Sequence, residues 1–240
     1  DGSLSITADT ITNSGNYTEN IYNADGVLIN QINYSSLIYA LNNISIETDE
    51  LTNMLGGVIA TDAGDISVTS GAFNNIMGGG VSAYGDITLA VSGGINNSAS
   101  QIYSRGSMSI VADQLINSGE AEIVTDSNIT LTLNSLTHND GRIFATDTLQ
   151  LNINDDFSFA DASLNANANL IINAAGDITN GTKLENYGNL ILNASGNFVN
   201  KTDSSLVSAG DIAITAANFT NEENTLLWSL GNLSVDVRNG

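Results

Sequence analysis

Adjacent carboxylates are the residues of this 240-residue chain that come closest to a catalytic arrangement. They stand at Asp155 with Asp156 and at Glu222 with Glu223, and two carboxyl groups on one face could supply the acid and the base for cleaving a polysaccharide. Adjacent residues of a strand lie on opposite faces, however, and the chain has only five lysines and arginines to hold an acidic sugar. We therefore expect no catalytic residues and no enzyme activity, with a polysaccharide-cleaving β-helix enzyme as a remote alternative.

A metal site is the next possibility for the acidic side chains. Gly-Asp pairs recur at Asp65, Asp86, Asp177 and Asp211, and carboxylates one repeat apart could share a Ca²⁺ ion. The Gly-Gly-x-Gly-x-Asp repeat that binds Ca²⁺ in other β-helices is missing, and His138 is the only histidine. The sequence therefore predicts solvated turn residues at these positions, with no metal site and no cofactor.

Aromatic side chains are the best candidates for contact with a partner. Tyr17, Tyr22, Tyr34 and Tyr39 are four of the seven tyrosines, and tyrosine clusters suit glycan and protein partners. Alternatively, these rings pack against an irregular coil or cover the end of the structure. Trp228 follows an apolar position near the end of a repeat, so alternation along a strand places it on the outside. These five residues are the candidate partner-binding residues.

Composition and charge exclude several classes of function. The formal net charge of −21 disfavours nucleic acids and anionic membrane surfaces. No apolar stretch approaches the roughly 20 residues of a membrane-spanning helix, and the first residues do not resemble a signal peptide. We expect a piece of a longer mature protein that does not itself span a membrane.

An internal repeat sets the positions of all these residues. An apolar residue that follows Gly-Asp or its equivalent recurs at intervals of 20 to 22 residues from Ile44 onward. The first interval, from Leu4 to Ile44, is 40 residues and contains a degenerate anchor at Val27. A period held this steadily indicates stacked structural repeats. The anchors are Leu4, Ile44, Ile66, Ile87, Met108, Ile129, Leu149, Leu170, Leu190, Ile212 and Leu233.

Each repeat predicts three short strands. Apolar residues alternate after the anchor, as at Ile129, Leu131 and Leu133, and two further apolar positions follow before the next anchor. Gly, Asn, Asp and Ser between them are turn residues. The chain has no proline, which suits strands that hydrogen-bond on both sides.

A repeat of this size cannot bury its apolar positions alone, whereas stacking at about 4.8 Å puts each inward side chain over its counterpart. Connections between parallel strands are right-handed. We therefore predict an all-β fold in which residues 1–240 form a single right-handed parallel β-helix, or solenoid, of about eleven coils with a period of about 21 residues. Residues 17–40, where the period slips, are predicted to be an irregular coil or an extruded segment.

A column of asparagines is predicted two residues after the second apolar position of the repeats. Asparagine tolerates left-handed backbone, and stacked amides can bond to one another. His138 and Phe159 occupy the column in two intervening repeats, which favours a structural role for His138. We interpret the column as a structural ladder of Asn13, Asn53, Asn75, Asn97, Asn117, Asn180, Asn200 and Asn221.

The repeat resembles the haemagglutinin repeat of the filamentous haemagglutinin family. The residues that carry the resemblance are "AGDISVTS", "YGDITLAV", "YGNLILNA" and "AGDIAITA", together with "ITNSG" and "LINSG". The resemblance covers almost the whole chain and is weakest across residues 17–40. It identifies the architecture more specifically than the individual protein.

The resemblance implies a secreted, surface-associated protein of a Gram-negative bacterium. Members of this family include adhesins and effectors of contact-dependent growth inhibition, which are exported by two-partner secretion through an outer-membrane transporter. By this resemblance the chain is a shaft segment that holds a distal receptor-binding or toxin region away from the producing cell. The alternative is an adhesive module that itself binds a glycan or protein receptor on a target bacterium or host cell.

Overall fold

The computed structural model describes residues 2–22, 28–159 and 163–239, and for residues 16–22, 28–35 and 163 it describes the backbone alone. Within these ranges the chain consists of strands and turns. The strands are β1 (Leu4–Ser14), β2 (Asn16–Tyr22), β3 (Leu28–Ser35), β4 (Leu37–Ala40), β5 (Ile44–Met54), β6 (Val58–Thr61), β7 (Ile66–Ile76), β8 (Gly80–Ala83), β9 (Ile87–Val91), β10 (Gly94–Ser98), β11 (Gln101–Ser104), β12 (Met108–Ser118), β13 (Glu122–Thr125), β14 (Ile129–Asn139), β15 (Arg142–Ala145), β16 (Thr148–Ile153), β17 (Phe157–Phe159), β18 (Ser163–Ala166), β19 (Asn169–Ala174), β20 (Ile178–Asn180), β21 (Lys183–Asn186), β22 (Asn189–Ala194), β23 (Asn197–Asn200), β24 (Ser205–Ser208), β25 (Ile212–Ala216), β26 (Asn218–Asn221), β27 (Leu226–Ser229) and β28 (Leu233–Val237).

Apart from β2 and β3, these strands stack in parallel on three faces of a solenoid. The first face has the strand order β1-β5-β7-β9-β12-β14-β16-β19-β22-β25-β28. The second face is formed by the later halves of the long strands, with β10 between those of β7 and β12, and then by β17-β20-β23-β26. The third face has the orders β4-β6-β8-β11-β13-β15-β18 and β21-β24-β27. The predicted all-β parallel solenoid with a period of about 21 residues is confirmed.

The core consists of aliphatic columns in register. Ile66 pairs with Ile87, and Ile87 pairs with Met108. Each of these side chains is at most 1% exposed, so each contributes about 2 kcal/mol through burial. Because every inward position repeats in the next coil, the columns form one continuous hydrophobic core.

The number of coils and the number of strands per coil differ from the prediction. The solenoid makes about nine turns rather than eleven, because β1 leads into a hairpin and β28 opens a coil without further strands among the described residues. In several coils the first two predicted strands also merge into one strand of 11 residues, as in β5, β7, β12 and β14.

The merging follows the length of the corner between the first and second faces in all coils but the last. In some coils the first inward residue of the second face comes three positions after the last inward residue of the first face, as Leu51 does after Thr48. The strand then only bends, and Asp49 drops out of the pairing register. In other coils the interval is four positions, as from Ile153 to Phe157, and two strands form. In the last coil β25 and β26 are separate although Phe219 follows Ala216 by three positions, so the extra residue favours two strands without being required for them. The core columns continue through both kinds of corner.

The long first interval is a hairpin rather than a coil. Strands β2 and β3 pair antiparallel, with Tyr17 opposite Tyr34, while β1 pairs directly with β5, so that Leu4 lies beside Ile44. The segment of residues 17–40, predicted to be an irregular coil or an extruded segment, thus contains most of this antiparallel pair, and the anchor predicted at Val27 lies outside the described residues. The described residues contain no helix long and apolar enough to cross a membrane.

Candidate functional site

The asparagine column is hydrogen-bonded along its length. Asn53 Nδ2 donates to Asn75 Oδ1 at 2.8 Å, and Asn75 Nδ2 donates to Asn97 Oδ1 at 2.8 Å. The second N–H of Asn75 reaches the carbonyl oxygen of Gln101 on the third face, at 3.1 Å. These three asparagine side chains are fully buried. One acceptor and two donors per amide are thereby satisfied, so the column joins each coil to the next and the second face to the third.

The same pattern extends to both sides. Asn13 Nδ2 donates to Asn53 Oδ1 at 2.8 Å, and Asn97 Nδ2 donates to Asn117 Oδ1 at 2.7 Å. The hydroxyl of Ser36, which follows the hairpin, donates to Asn13 Oδ1 at 2.7 Å. Because Ser36 follows β3 directly, the base of the hairpin is tied to the first member of the column.

Two ring residues interrupt the column. Asn117 Oδ1 accepts from Asn97, and Asn117 Nδ2 is the donor to His138 Nδ1 at 3.2 Å and to the carbonyl oxygens of Ala121 and Arg142, each at 3.3 Å. Because Nδ1 of His138 accepts this hydrogen bond, it carries no proton, and the imidazole ring is the tautomer with its proton on Nε2. In the next coil Phe159 is buried and packs edge-on against Phe157, with ring centroids 4.9 Å apart. Asparagine bonding resumes from Asn180 to Asn200 at 2.8 Å and from Asn200 to the exposed Asn221 at 2.9 Å.

A second polar column, which the sequence analysis missed, lies at the corner before each anchor. Asp65 Oδ1 accepts the backbone N–H of Asp86 at 2.8 Å, and Asp86 Oδ1 accepts that of Ser107 at 2.7 Å. We call this set the corner column. Its other side-chain acceptors are Asn43, Asn128, Asn189 and Asp211. The same kind of bond recurs at the corner before the second face, where Asp156 and Asp177 accept the backbone N–H groups of Asp177 and Asn197.

The corner column explains why glycine precedes aspartate. A Cβ added to Gly85 would overlap Asp65 Oδ1, and a Cβ added to Gly106 would overlap Asp86 Oδ1. The side chain of one coil thus crosses the space that a side chain of the next coil would fill. The signal was present in the recurring Gly-Asp pair, but its reason depends on contacts between coils.

The acidic residues of this column are stabilised by amide donors. A carboxylate that accepts a backbone N–H gains a favourable charge-assisted hydrogen bond, which offsets repulsion between Asp65 and Asp86 in neighbouring coils. Among the residues whose side chains are described, no group of three or more potential metal-ligating side chains is present. The arrangement supports cohesion between coils.

The two carboxylate pairs occupy separate places. Asp155 Oδ1 accepts the N–H of Asp156 at 2.9 Å, and Asp156 Oδ1 accepts that of Asp177 at 2.7 Å. Glu222 Oε2 accepts the backbone N–H of Thr202 at 2.9 Å and its hydroxyl at 3.0 Å. The Thr202 bonds, with the backbone N–H first, lower the pKa of Glu222. Both pairs therefore join one coil to another.

The structure divides the candidate partner-binding residues. Tyr17, Tyr22 and Tyr34 lie on the hairpin, and their side chains are outside the described part of the structure. Tyr39 lies on β4, where its hydroxyl donates to Asp62 Oδ2 at 2.5 Å, and this bond raises the pKa of Tyr39. Trp228 is 46% exposed on β27. β4 and β27 lie at opposite ends of the third face, so Tyr39 and Trp228 do not share one site.

Between these ends the third face carries an aromatic and arginine cluster that sequence reasoning missed. The guanidinium of Arg105 lies 4.7 Å from the ring centroid of Tyr84, and that of Arg142 lies 4.6 Å from the ring centroid of Phe144. Tyr103 donates its hydroxyl to Asp126 Oδ2 at 2.8 Å. We call Tyr84, Tyr103, Arg105, Arg142 and Phe144 the third-face cluster. The sequence feature that could have revealed this cluster is an outward-facing aromatic residue in the third strand of nearby repeats, as at Tyr103 and Phe144.

Ion pairs add little to the surface. Arg142 Nη1 lies 3.7 Å from Glu122 Oε1, and Lys201 Nζ lies 3.6 Å from Glu222 Oε1. All four side chains are at least one third exposed, so each pair contributes about 0.5 kcal/mol or less. Stacking and hydrogen bonds, rather than ion pairs, therefore hold the coils together.

Comparison with known proteins identifies the repeat. The family model described as Haemagglutinin repeat matches residues 78–152, 144–202 and 199–236. No curated protein and no solved structure gives a significant match. The matched segments together cover well over half of the chain and lie within the stack of parallel coils described above. The chain therefore belongs to the haemagglutinin-repeat family and forms an adhesin-type β-solenoid repeat region.

Proposed function

We propose that this chain is a shaft segment that holds a distal receptor-binding or toxin region of a secreted protein away from the producing cell. The observation that carries this proposal is the unbroken first face, whose strands run in register from β1 to β28. Ten steps between its eleven rungs give a length of about 48 Å. A stack of this kind lengthens with every added repeat, which is the property that a spacer needs.

The shaft proposal is tested by competition. The purified 240-residue fragment is added in excess to target cells before the full-length protein. A shaft without receptor affinity leaves adhesion or growth inhibition unchanged, while a purified distal region serves as the positive control and blocks it. Blocking by the shaft fragment itself would contradict the proposal.

The second candidate function is direct adhesion, which the third-face cluster favours. Exposed rings offer stacking surfaces for a glycan or a protein, and guanidinium groups offer paired hydrogen-bond donors. If this function holds, the fragment competes with the full-length protein. Replacement of Tyr84, Tyr103 and Arg105 by alanine then abolishes competition, whereas replacement of outward residues on the first face does not.

We also propose export through an outer-membrane transporter of the two-partner type in a Gram-negative bacterium, with folding outside the cell. A chain without cysteine crosses membranes unfolded without forming disulfides on the way. Deletion of the partner transporter should retain the full-length protein in the periplasm. Unchanged surface display in that deletion strain would contradict this route.

Lack of catalysis remains a prediction with its own assay. The fragment is incubated with acidic and neutral polysaccharides, and new chain ends are measured. We expect none above a boiled control. New ends that disappear in an Asp155→Asn or Glu222→Gln variant would establish the remote alternative.

A further inference from the structure

An open groove follows the corner between the first and second faces near the start of the rod. It has a volume of about 560 Å³ and is lined by residues from Thr7 in β1 to Ser92, which follows β9. These strands belong to four successive coils, so the groove extends for about 14 Å along the rod. The described residues that line it carry carboxylates, hydroxyl groups or small side chains, and none of them is aromatic or basic. We call it the acidic groove.

A glycine at this corner leaves room for the groove. Thr48 pairs with Ser70, so the residues that follow them, Asp49 and Gly71, are successive corner residues. A Cβ added to Gly71 would lie 2.6 Å from the carbonyl oxygen of Asp49, which is too close for a larger residue. Ser70 and Gly71 both line the groove. Close stacking of the two coils therefore requires a glycine beside Ser70, and this position has no side chain that could fill the groove.

Three carboxylates line the acidic groove. They belong to Asp9, Glu47 and Asp49, and all three residues are exposed. Within the described part of the chain no ion pair involves them, and no lysine, arginine or histidine precedes Arg105 in the sequence. Asp9 and Asp49 lie in successive coils, about 4.8 Å apart along the rod, so their charges repel each other. A cation bound between them would remove this repulsion.

Ser70 provides a second, independent indication of a ligand. It is 5% exposed, and its Oγ is the one buried side-chain nitrogen or oxygen atom among the described residues that has no hydrogen-bond partner. At the same position one coil earlier, the hydroxyl of Thr48 donates to the carbonyl oxygens of Asp9 and Glu50, at 3.0 and 3.1 Å. An unpaired buried hydroxyl reduces stability. Because Ser70 lines the acidic groove, a ligand with an N–H donor would supply the missing partner.

The lining of the acidic groove suits an alkylammonium group. Such a group carries one positive charge and three N–H donors but no acceptor, so carboxylate and hydroxyl oxygens can accept all of its hydrogen bonds. A Ca²⁺ ion needs six or more oxygen ligands, and the described side chains contain no group of three potential metal ligands. A quaternary ammonium ion favours an aromatic cage, and the described lining has no aromatic ring.

We propose that the acidic groove is a binding site for a linear polyamine. One ammonium group bonds to the Asp49 carboxylate and to Ser70 Oγ, and the other ammonium groups lie along the groove towards Asp9 and Glu47. The ligand thereby joins successive coils at a corner where the chain supplies no cation of its own. This goes beyond the shaft proposal, since it assigns a ligand to the rod and holds whatever the rod carries.

The test is isothermal titration of the 240-residue chain with spermidine. About 0.15 M NaCl in the buffer screens diffuse attraction to the net charge of −21. Asp49→Asn removes one charge from the acidic groove. Asp211→Asn is the matched control, because it removes one charge from the corner column and keeps an oxygen acceptor for the backbone N–H of Asn232.

The proposal predicts one saturable site. Loss of a charge-assisted hydrogen bond should weaken spermidine binding at least about tenfold in Asp49→Asn, whereas Asp211→Asn should change it by less than about twofold. Equal affinity of the unaltered chain and both variants would show that only diffuse attraction operates and would overturn the proposal. Titrations without a saturable site would overturn it too. None of these outcomes bears on receptor binding, so failure here is distinguishable from failure of the shaft proposal.

Ser70→Ala separates binding from folding. It removes a buried hydroxyl that has no partner, so without spermidine the variant should resist urea at least as well as the unaltered chain. Its affinity for spermidine should nevertheless fall about fivefold or more, because one acceptor of the ammonium group is lost. A stable Ser70→Ala variant that binds spermidine as tightly as the unaltered chain would contradict the site assigned to the ammonium group.

Discussion

The asparagine column and the corner column stack with the same period but solve different problems. In the buried column, each side chain bonds to the next side chain, as Asn53 does to Asn75. In the exposed column, each side chain bonds to the backbone of the next coil, as Asp65 does to Asp86. A neutral amide can both donate and accept a hydrogen bond, so stacked amides can bond to one another inside the protein. A carboxylate can only accept, and stacked carboxylates are tolerated only where water screens their charges. Burial therefore selects asparagine, and exposure permits aspartate.

The largest expected effect comes from exchanging the two chemistries. Asn75→Asp buries a carboxylate that has lost both N–H donors and faces Asn97 Oδ1, which should reduce the free energy of unfolding by about 4 kcal/mol at pH 7. The reverse change, Asp86→Asn, keeps an oxygen acceptor for Ser107 and should alter stability by less than about 1 kcal/mol. Urea denaturation compares the two. Similar losses for both variants would mean that the columns are not distinguished by burial.

Truncation within the buried column should cost somewhat less. Asn75→Ala leaves an N–H of Asn53, Asn97 Oδ1 and the Gln101 carbonyl without their partner, for a loss of about 3 kcal/mol. Asn221→Ala removes the exposed last member and should lose under about 1 kcal/mol. The two denaturation midpoints measure this gradient, and equal shifts would contradict a role for burial along the column.

The glycines of the corner column provide a steric test. Gly85→Ala places a methyl group against Asp65 Oδ1 and should destabilise the fold by about 2 kcal/mol. Gly181→Ala is the matched control, since a Cβ there meets nothing within 4 Å, and its effect should be within about 0.5 kcal/mol. If both variants melt at the same temperature, the proposed reason for the Gly-Asp pair is wrong.

The smallest effect is expected from removing a surface carboxylate that accepts a hydrogen bond from a side chain, as Asp126 does from Tyr103. The hydrogen bond from Tyr103 to Asp126 raises the pKa of Tyr103, so its phenol should ionise above the usual value of 10.0. Because the folded-state pKa is the higher one, this bond favours folding below pH 10 and loses that contribution as the pH rises through the folded-state pKa. Asp126→Asn should lower the pKa toward 10.0, measured from the ¹³Cζ shift of Tyr103. An unchanged titration would exclude Asp126 as the cause.

The period made most of the fold predictable. Apolar residues 20 to 22 positions apart can be buried only if they stack, which gives the parallel strands, the direction of each side chain and the superposition of Asn75 on Asn97. The hairpin was harder to predict, because 40 residues is close to two periods and Val27 resembles an anchor. Its antiparallel pairing depends on contacts between β2 and β3 that no repeat specifies.

Contacts between coils limited what could be predicted for the candidate site. The Gly-Asp pair was visible, but the path of Asp65 over Gly85 requires the relative height of two coils. Likewise, Arg105 and Arg142 are far apart in sequence, and only stacking brings them to one face with Tyr84 and Phe144.

The claim that residues one period apart lie directly over one another can be tested by disulfide formation. Ser67 pairs with Thr88, and Thr88 pairs with Ser109, so neighbouring Cα atoms are about 5 Å apart and second neighbours about 10 Å apart. Disulfides require about 4.4 to 6.8 Å between Cα atoms. The account predicts rapid crosslinking of Ser67→Cys with Thr88→Cys and none of Ser67→Cys with Ser109→Cys under the same oxidant. Crosslinking of neither pair, or equally of both, would contradict the stack.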